Sequence, residues 1–147
     1  MTQIRAIVAS DRAAWRPLWD AYLVFYETTL PTVVTDDAFE RLVADEDLHG
    51  AIAWSDDGEP LGLVHWLFHP ATWDTRGYCY LSDLFVSPAA RGLGVGRALI
   101  QHVNDAARGA GVERVYWHTD EKNTTARALY EQVASRSGHI EYELTVA

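Results

Sequence analysis

The chain contains a single cysteine, Cys79, so no disulfide can form within it. A lone thiol inside an apolar stretch fits a reducing, cytoplasmic setting, and burial accounts for it better than nucleophilic chemistry does, because no histidine is near it in sequence. Basic residues are also scarce: 12 Lys and Arg face 21 Asp and Glu, for a formal net charge of −9. Duplex nucleic acid is held by clustered cations at its phosphates, which argues against that class of partner. No apolar run approaches the roughly 18 residues of a membrane span. The opening Met1-Thr2-Gln3-Ile4-Arg5 lacks the basic and apolar regions of a signal peptide. His65, His69, His118 and His139 show no ligand spacing of the His-Glu-x-x-His kind, so no metal is expected. Repeats, low-complexity tracts and linkers are lacking too.

What is present supports a packed core. Apolar residues make up 48% of the chain, with six Trp and seven Tyr. At this length one domain, residues 1–147, can bury about 68–70% of its unfolded surface. Acidic residues concentrate between Asp36 and Glu59, where Arg41 stands alone among them. They read either as a solvated helix face with a hairpin turn or as a field that draws cationic amines.

The pattern of elements is α/β. Gln3–Val8 alternates as a strand, and Ser10 or Asp11 can cap a helix carrying Trp15, Leu18, Trp19, Tyr22 and Tyr26 on one face. Pro17 falls inside that helix, which therefore starts there or kinks. Asp36 or Asp37 caps a second helix through Phe39 and Leu42. Residues 51–54 and 61–68 form a hairpin about Asp56-Asp57-Gly58. Residues 78–86 form a near-continuously apolar central strand. A helix with Val95, Leu99 and Val103 at helical spacing follows, ended by Gly109 and Gly111. Val115–His118 is a short strand. Asn123 or Thr124 caps a last helix that Gly138 ends, and Ile140–Val146 closes the chain as a strand.

Chemistry concentrates at Arg91-Gly92-Leu93-Gly94-Val95-Gly96-Arg97, between the central strand and its helix. A helix N-terminus presents N–H groups with no intrahelical partner and the positive end of the peptide dipole. Glycines there admit a large anion close to the main chain, and Arg91 and Arg97 add full charges, which together suit a diphosphate. The P-loop lysine and hydroxyl are missing, and the dinucleotide fingerprint fails because its third glycine position falls on Arg97 or Leu99.

The pattern Arg-x-x-Gly-x-Gly after Asp83-Leu84-Phe85-Val86-Ser87-Pro88 resembles the acyl-CoA-binding motif of the GNAT superfamily of N-acetyltransferases. The stretch Asn123-Thr124-Thr125-Ala126-Arg127-Ala128-Leu129-Tyr130 is similar to a second segment of that family. The resemblance implies a mixed, mostly antiparallel sheet of six to seven strands with about four helices, splayed at the central strand. It further implies acetyl-CoA as co-substrate, bound by main chain of Leu84, Phe85 and Val86 and by residues 91–97. Asn123 would contact the pantetheine arm, and Tyr130 would lie near the cofactor sulfur. Tyr22, Tyr26 and Glu27 match positions lining the acceptor cleft. A homodimer by sheet extension is possible by the same analogy.

The implied reaction is attack of a neutral amine on a thioester. With a reference pKa of about 10.4, restoring neutrality at pH 7 costs on the order of 4–5 kcal/mol. Asp83, a carboxylate inside an apolar strand, is a candidate proton acceptor, Ser82 can hold a relay water, and Glu27 is an alternative from the substrate side. Diamine acetyltransferases of the superfamily have Tyr-Leu-Glu-Asp where this chain has Tyr80-Leu81-Ser82-Asp83, so polyamine specificity does not carry over. The expected acceptor is a small-molecule primary amine, with a peptide amine as a further option. A CoA-binding module without catalysis and a nucleotide-phosphate binder using the same loop are the competing classes.

Overall fold

Alternating and continuous apolar runs assemble one mixed sheet between two helical layers. The computed structural model describes residues 2–146. In chain order the elements are β1 (Gln3–Ala6), α1 (Arg12–Phe25), α2 (Thr32–Ala44), β2 (His49–Trp54), β3 (Pro60–His69), β4 (Tyr78–Val86), α3 (Val95–Gly109), β5 (Val115–Tyr116) and α4 (Thr124–Val133). Short 3-10 turns lie at Ala9–Asp11 and Pro88–Ala90. The sheet order is β1-β2-β3-β4-β5, with antiparallel neighbours except for the parallel pair β4–β5.

The sheet has five strands, not six to seven. Ile140–Val146 alternates like a strand, but among the described residues it joins no ladder. Its apolar side chains stand open to solvent, from 73% exposed at Ile140 to 91% at Val146. Period-2 patterning describes a half-buried strand only where a neighbouring strand supplies hydrogen bonds.

Each sheet face buries its own core. On one face Val95, Leu99 and Val103 of α3 pack on Val64, Cys79 and Leu81. On the other, Trp15, Leu18 and Trp19 of α1 and Phe39 and Leu42 of α2 cover Ile52, Leu63 and Phe85. Each such fully buried apolar side chain contributes about 1.5–3 kcal/mol. A bulge in β4 connects the two patterns. His65 pairs with Asp83 and Trp66 with Leu81, leaving Ser82 as the extra residue. One inserted residue reverses the alternation, so Cys79 and Leu81 face α3 whereas Phe85 faces α1.

Several local expectations change. α1 begins at Arg12 and runs through Pro17. Asp11 stands at its N-cap without a capping hydrogen bond, because its carboxylate accepts from Arg5 (2.8 and 2.9 Å) and from Val8 N–H (2.9 Å). α2 starts earlier than expected, at Thr32 after Pro31, so Asp36 and Asp37 lie within it and pair with Arg12 and Arg41. α4 ends at Val133, and Gly138 lies beyond it in a left-handed conformation (φ 85°). No helix of the described residues is long and apolar enough to cross a membrane.

Candidate functional site

The site begins where β4 and β5 part. They pair at Cys79–Val115 and Tyr80–Tyr116, and beyond that point β5 ends while β4 continues to Val86. Leu84, Phe85 and Val86 thus present a strand edge to open space, the splay expected at the central strand. A backbone edge of this kind can accept and donate ladder hydrogen bonds to an amide-bearing chain.

Just past that edge, Gly92 and Gly94 adopt left-handed backbone (φ 81° and 79°). A Cβ on either would meet nothing within 4 Å, so backbone direction, not crowding, is what calls for glycine there. Gly94 is the N-cap of α3 and supplies no side chain to the first turn. The leading N–H groups of α3 are left to point outward, which is the arrangement that holds an oxyanion.

A cavity of about 570 Å³ unites these parts. Its walls are Leu84, Phe85 and Val86 of β4, then Arg91, Gly92, Gly94, Val95, Gly96 and Arg97, then Asn123 and Tyr130 at α4. Tyr22, Phe25 and Tyr26 at the end of α1 close the far end. The two arginines take different stations: Arg91 Nε donates to Val86 O (3.3 Å), and Arg97 Nη2 to Gln132 Oε1 (2.5 Å). Asn123 is the N-cap residue of α4 but makes no capping hydrogen bond; its amide Nδ2 donates to Thr119 Oγ1 (3.3 Å) at the cavity wall. Four predicted residues, Ser82, Asp83, Leu93 and Glu27, are not in the lining. Leu93 is 71% exposed, and Glu27, on the connection after α1 with φ 52°, is exposed as well.

Tyr130 packs edge-on to Trp117 (5.4 Å between ring centres), and burial pushes its phenol up to about 12. Asp83 lies behind the cavity wall. Burial works against its charge, but hydrogen bonds from His65 (2.9 Å), Tyr22 and Ser82 (2.9 Å) together hold its carboxyl below the usual carboxylate range. Tyr22 is driven far above an ordinary phenol, by burial first and by Asp83 second. The end of the cavity nearest α1 therefore offers a phenol anchored on a buried anion, beside a second phenol on α4. Among the described residues no cluster of three or more His, Cys, Asp or Glu could hold a metal ion.

Sequence reasoning weighed His65 only as a metal ligand, and missed its place beside Asp83. The signal that could have found it is pairing register, which a bulge obscures. Ala126 and Leu129 also line the cavity, on the same helical face as Asn123 and Tyr130 at spacings of three and four.

Comparison with known proteins agrees with this geometry. Residues 13–134 match the profile of the acetyltransferase (GNAT) family. D-amino-acid N-acetyltransferase HPA3 of Saccharomyces cerevisiae is 36% identical over 142 residues, covering 95% of this chain and 88% of that protein. Thialysine N-epsilon-acetyltransferase of Caenorhabditis elegans is 30% identical over 112 residues, covering 76% and 69%. Among solved structures, AAC(6')-Iy with the bisubstrate analog CoA-S-monomethyl-acetylneamine has a TM-score of 0.87 at 18% identity, covering 100% of this chain and 99% of that one. The chain is an acyltransferase enzyme belonging to the acetyltransferase (GNAT) family.

Proposed function

We propose that residues 1–147 act as one domain that moves an acetyl group from acetyl-CoA to the primary amine of a small molecule, by direct attack in a ternary complex. The observation that carries this reading is the single cavity joining a helix N-terminus flanked by arginines, an unpaired strand edge, and three tyrosines. The diphosphate is taken by the amides of residues 92–97 with Arg91 and Arg97. The pantetheine amides pair with Leu84, Phe85 and Val86, and Asn123 holds the arm from α4. Names of relatives that act on D-amino acids and on thialysine support an acceptor amine carried on an amino-acid-like molecule.

In the transfer step the amine nitrogen forms a bond to the thioester carbonyl carbon. The C–S bond then breaks, and the electron pair leaves with sulfur. Main-chain N–H near Phe85 or Val86 polarises the carbonyl. Tyr130 donates a hydrogen bond to the departing sulfur. A thiol near 8.5 is more acidic than a phenol at about 12. Full proton transfer from Tyr130 therefore costs about 5 kcal/mol, and the thiolate is stabilised as an anion rather than protonated by it.

The acceptor arrives as an ammonium and is drawn to the Asp83 end. Asp83, held below its usual range, is a poor final store for a proton that leaves an amine near about 10.4. Ser82 and Asp83 instead orient the water that carries the proton to solvent. Glu27 has no part, being exposed and outside the cavity lining.

The same reading places the enzyme in the cytoplasm, in keeping with its one buried free thiol, Cys79. It also includes a homodimer: Ile140, Tyr142, Leu144 and Val146 alternate with polar residues and are exposed, as a segment waiting for a strand partner would be. Sedimentation velocity decides this second point. The activity is tested by release of CoA thiol from acetyl-CoA against a panel of small amines and amino acids. Binding of acetyl-CoA without thiol release would mark a binding module instead.

A further inference from the structure

We infer that His65 is a positioning residue whose proton is fixed on Nδ1 by Trp15, so that the ring donates permanently to Asp83 and holds that carboxylate in place behind Tyr22 at the acceptor end of the cavity. The geometry is a buried chain of three groups. Trp15 Nε1 lies 3.0 Å from His65 Nε2, and His65 Nδ1 lies 2.9 Å from Asp83 Oδ2. An indole N–H can only donate, so Nε2 must be the accepting nitrogen and the ring proton of the neutral imidazole sits on Nδ1. There it meets a carboxylate oxygen, which can only accept. A proton on Nε2 would face the indole N–H directly and lose that bond.

The surroundings leave the ring no other place. Trp15 is fully buried and His65 is 5% exposed. The Trp19 ring lies 5.4 Å from the imidazole, and Trp15 and Trp19 stack at 5.6 Å. The bulge at Ser82 sets His65 opposite Asp83, and adds the Ser82 hydroxyl as a second donor to the same oxygen. Without the bulge the alternation of β4 would not bring Asp83 to this face. Trp15, on a helix distant in sequence, thus controls the hydrogen-bonding state of a carboxylate that lies behind the wall of the cavity.

This inference rests on the proposed role of Asp83 toward the acceptor, and the two can fail separately. Long-range proton–nitrogen correlation of the His65 ring in the wild-type protein without substrate reads the tautomer directly. A proton on Nδ1 alone at neutral pH is expected; an Nε2–H tautomer or a doubly protonated ring overturns the inference. In steady-state kinetics, His65→Leu should lower kcat/KM for the amine about 10- to 100-fold, while KM for acetyl-CoA stays within about twofold. His65→Asn, whose side-chain amide can present N–H to the same carboxylate, should recover most of that loss. Equal losses in both variants, or a loss confined to acetyl-CoA binding, overturn it. Thermal unfolding of each variant separates misfolding from mispositioning, and the tautomer measurement needs no variant. Failure of the wild type to acetylate any amine would overturn the functional reading, whereas the wrong tautomer would overturn this inference alone.

Discussion

Arg97 at the first turn of α3 donates from Nη2 to Oε1 of Gln132 on α4, at 2.5 Å, and so bridges the two helices that flank the cavity. Arg97 and Gln132 both line the cavity together with the glycine loop. Arg97→Ala should weaken acetyl-CoA binding by about one to two orders of magnitude, the range for a charge-assisted hydrogen bond. Gln132→Ala should leave binding within about twofold, since Gln132 is an exposed neutral partner. Calorimetric titration of both variants measures this, and equal losses would show that the bridge itself holds the ligand.

Gly94 tests the loop by backbone alone. Its φ of 79° disfavours any L side chain, yet a Cβ there would touch nothing within 4 Å. Gly94→Ala should therefore cost about 1–2 kcal/mol through conformation, seen as lower Tm or as weaker acetyl-CoA binding. Full retention of both would show that the left-handed turn is not needed.

Tyr130→Phe should lower kcat at least tenfold with KM for acetyl-CoA near wild type, since a hydrogen bond to a departing anion is made in the transition state. Burial raises the phenol to about 12, so its O–H persists as pH rises until that value is approached. The variant should therefore depress the whole pH–rate profile below pH 10 without moving its limbs. A displaced alkaline limb would mean that Tyr130 titrates in the working range.

Asp11 offers a stability test away from the cavity. Arg5 hydrogen bonds lower its carboxyl in the folded chain, with Val8 N–H assisting. A group lowered on folding adds stability above its unfolded value of about 3.9, and that stability is lost as pH falls through the lower folded value. Asp11→Asn should cost about 1–2 kcal/mol at pH 7, because Arg5 is partly exposed and its pairing is screened. The difference in Tm from wild type should shrink in acid. A gap that persists below pH 3 would assign the loss to packing.

The core of the site was legible in the sequence because its chemistry is local. The glycines, their arginines, Asn123 and Tyr130 are set by spacing along single elements, and all of these except Leu93 among residues 91–97 line the cavity. The partners of Asp83 were not legible. His65 meets Asp83 across a bulged register and Trp15 reaches His65 from another layer, and no periodicity encodes either contact. Strand count failed for a related reason. Residues 140–146 carry the alternation of a strand, but alternation states which side chains share a face and not whether a neighbour is there to pair. α1 starts at its expected cap, Asp11, whereas α2 starts at Thr32 behind Pro31, ahead of the Asp36 and Asp37 caps that the sequence offers.

The most direct measurement is thiol release from acetyl-CoA in the presence of amino acids of both configurations and simple primary amines, run beside the Tyr130→Phe variant. Amine-dependent release of one thiol per acetylated product, strongly reduced in the variant, is the predicted result. No amine-dependent release by folded protein that binds acetyl-CoA would contradict the account.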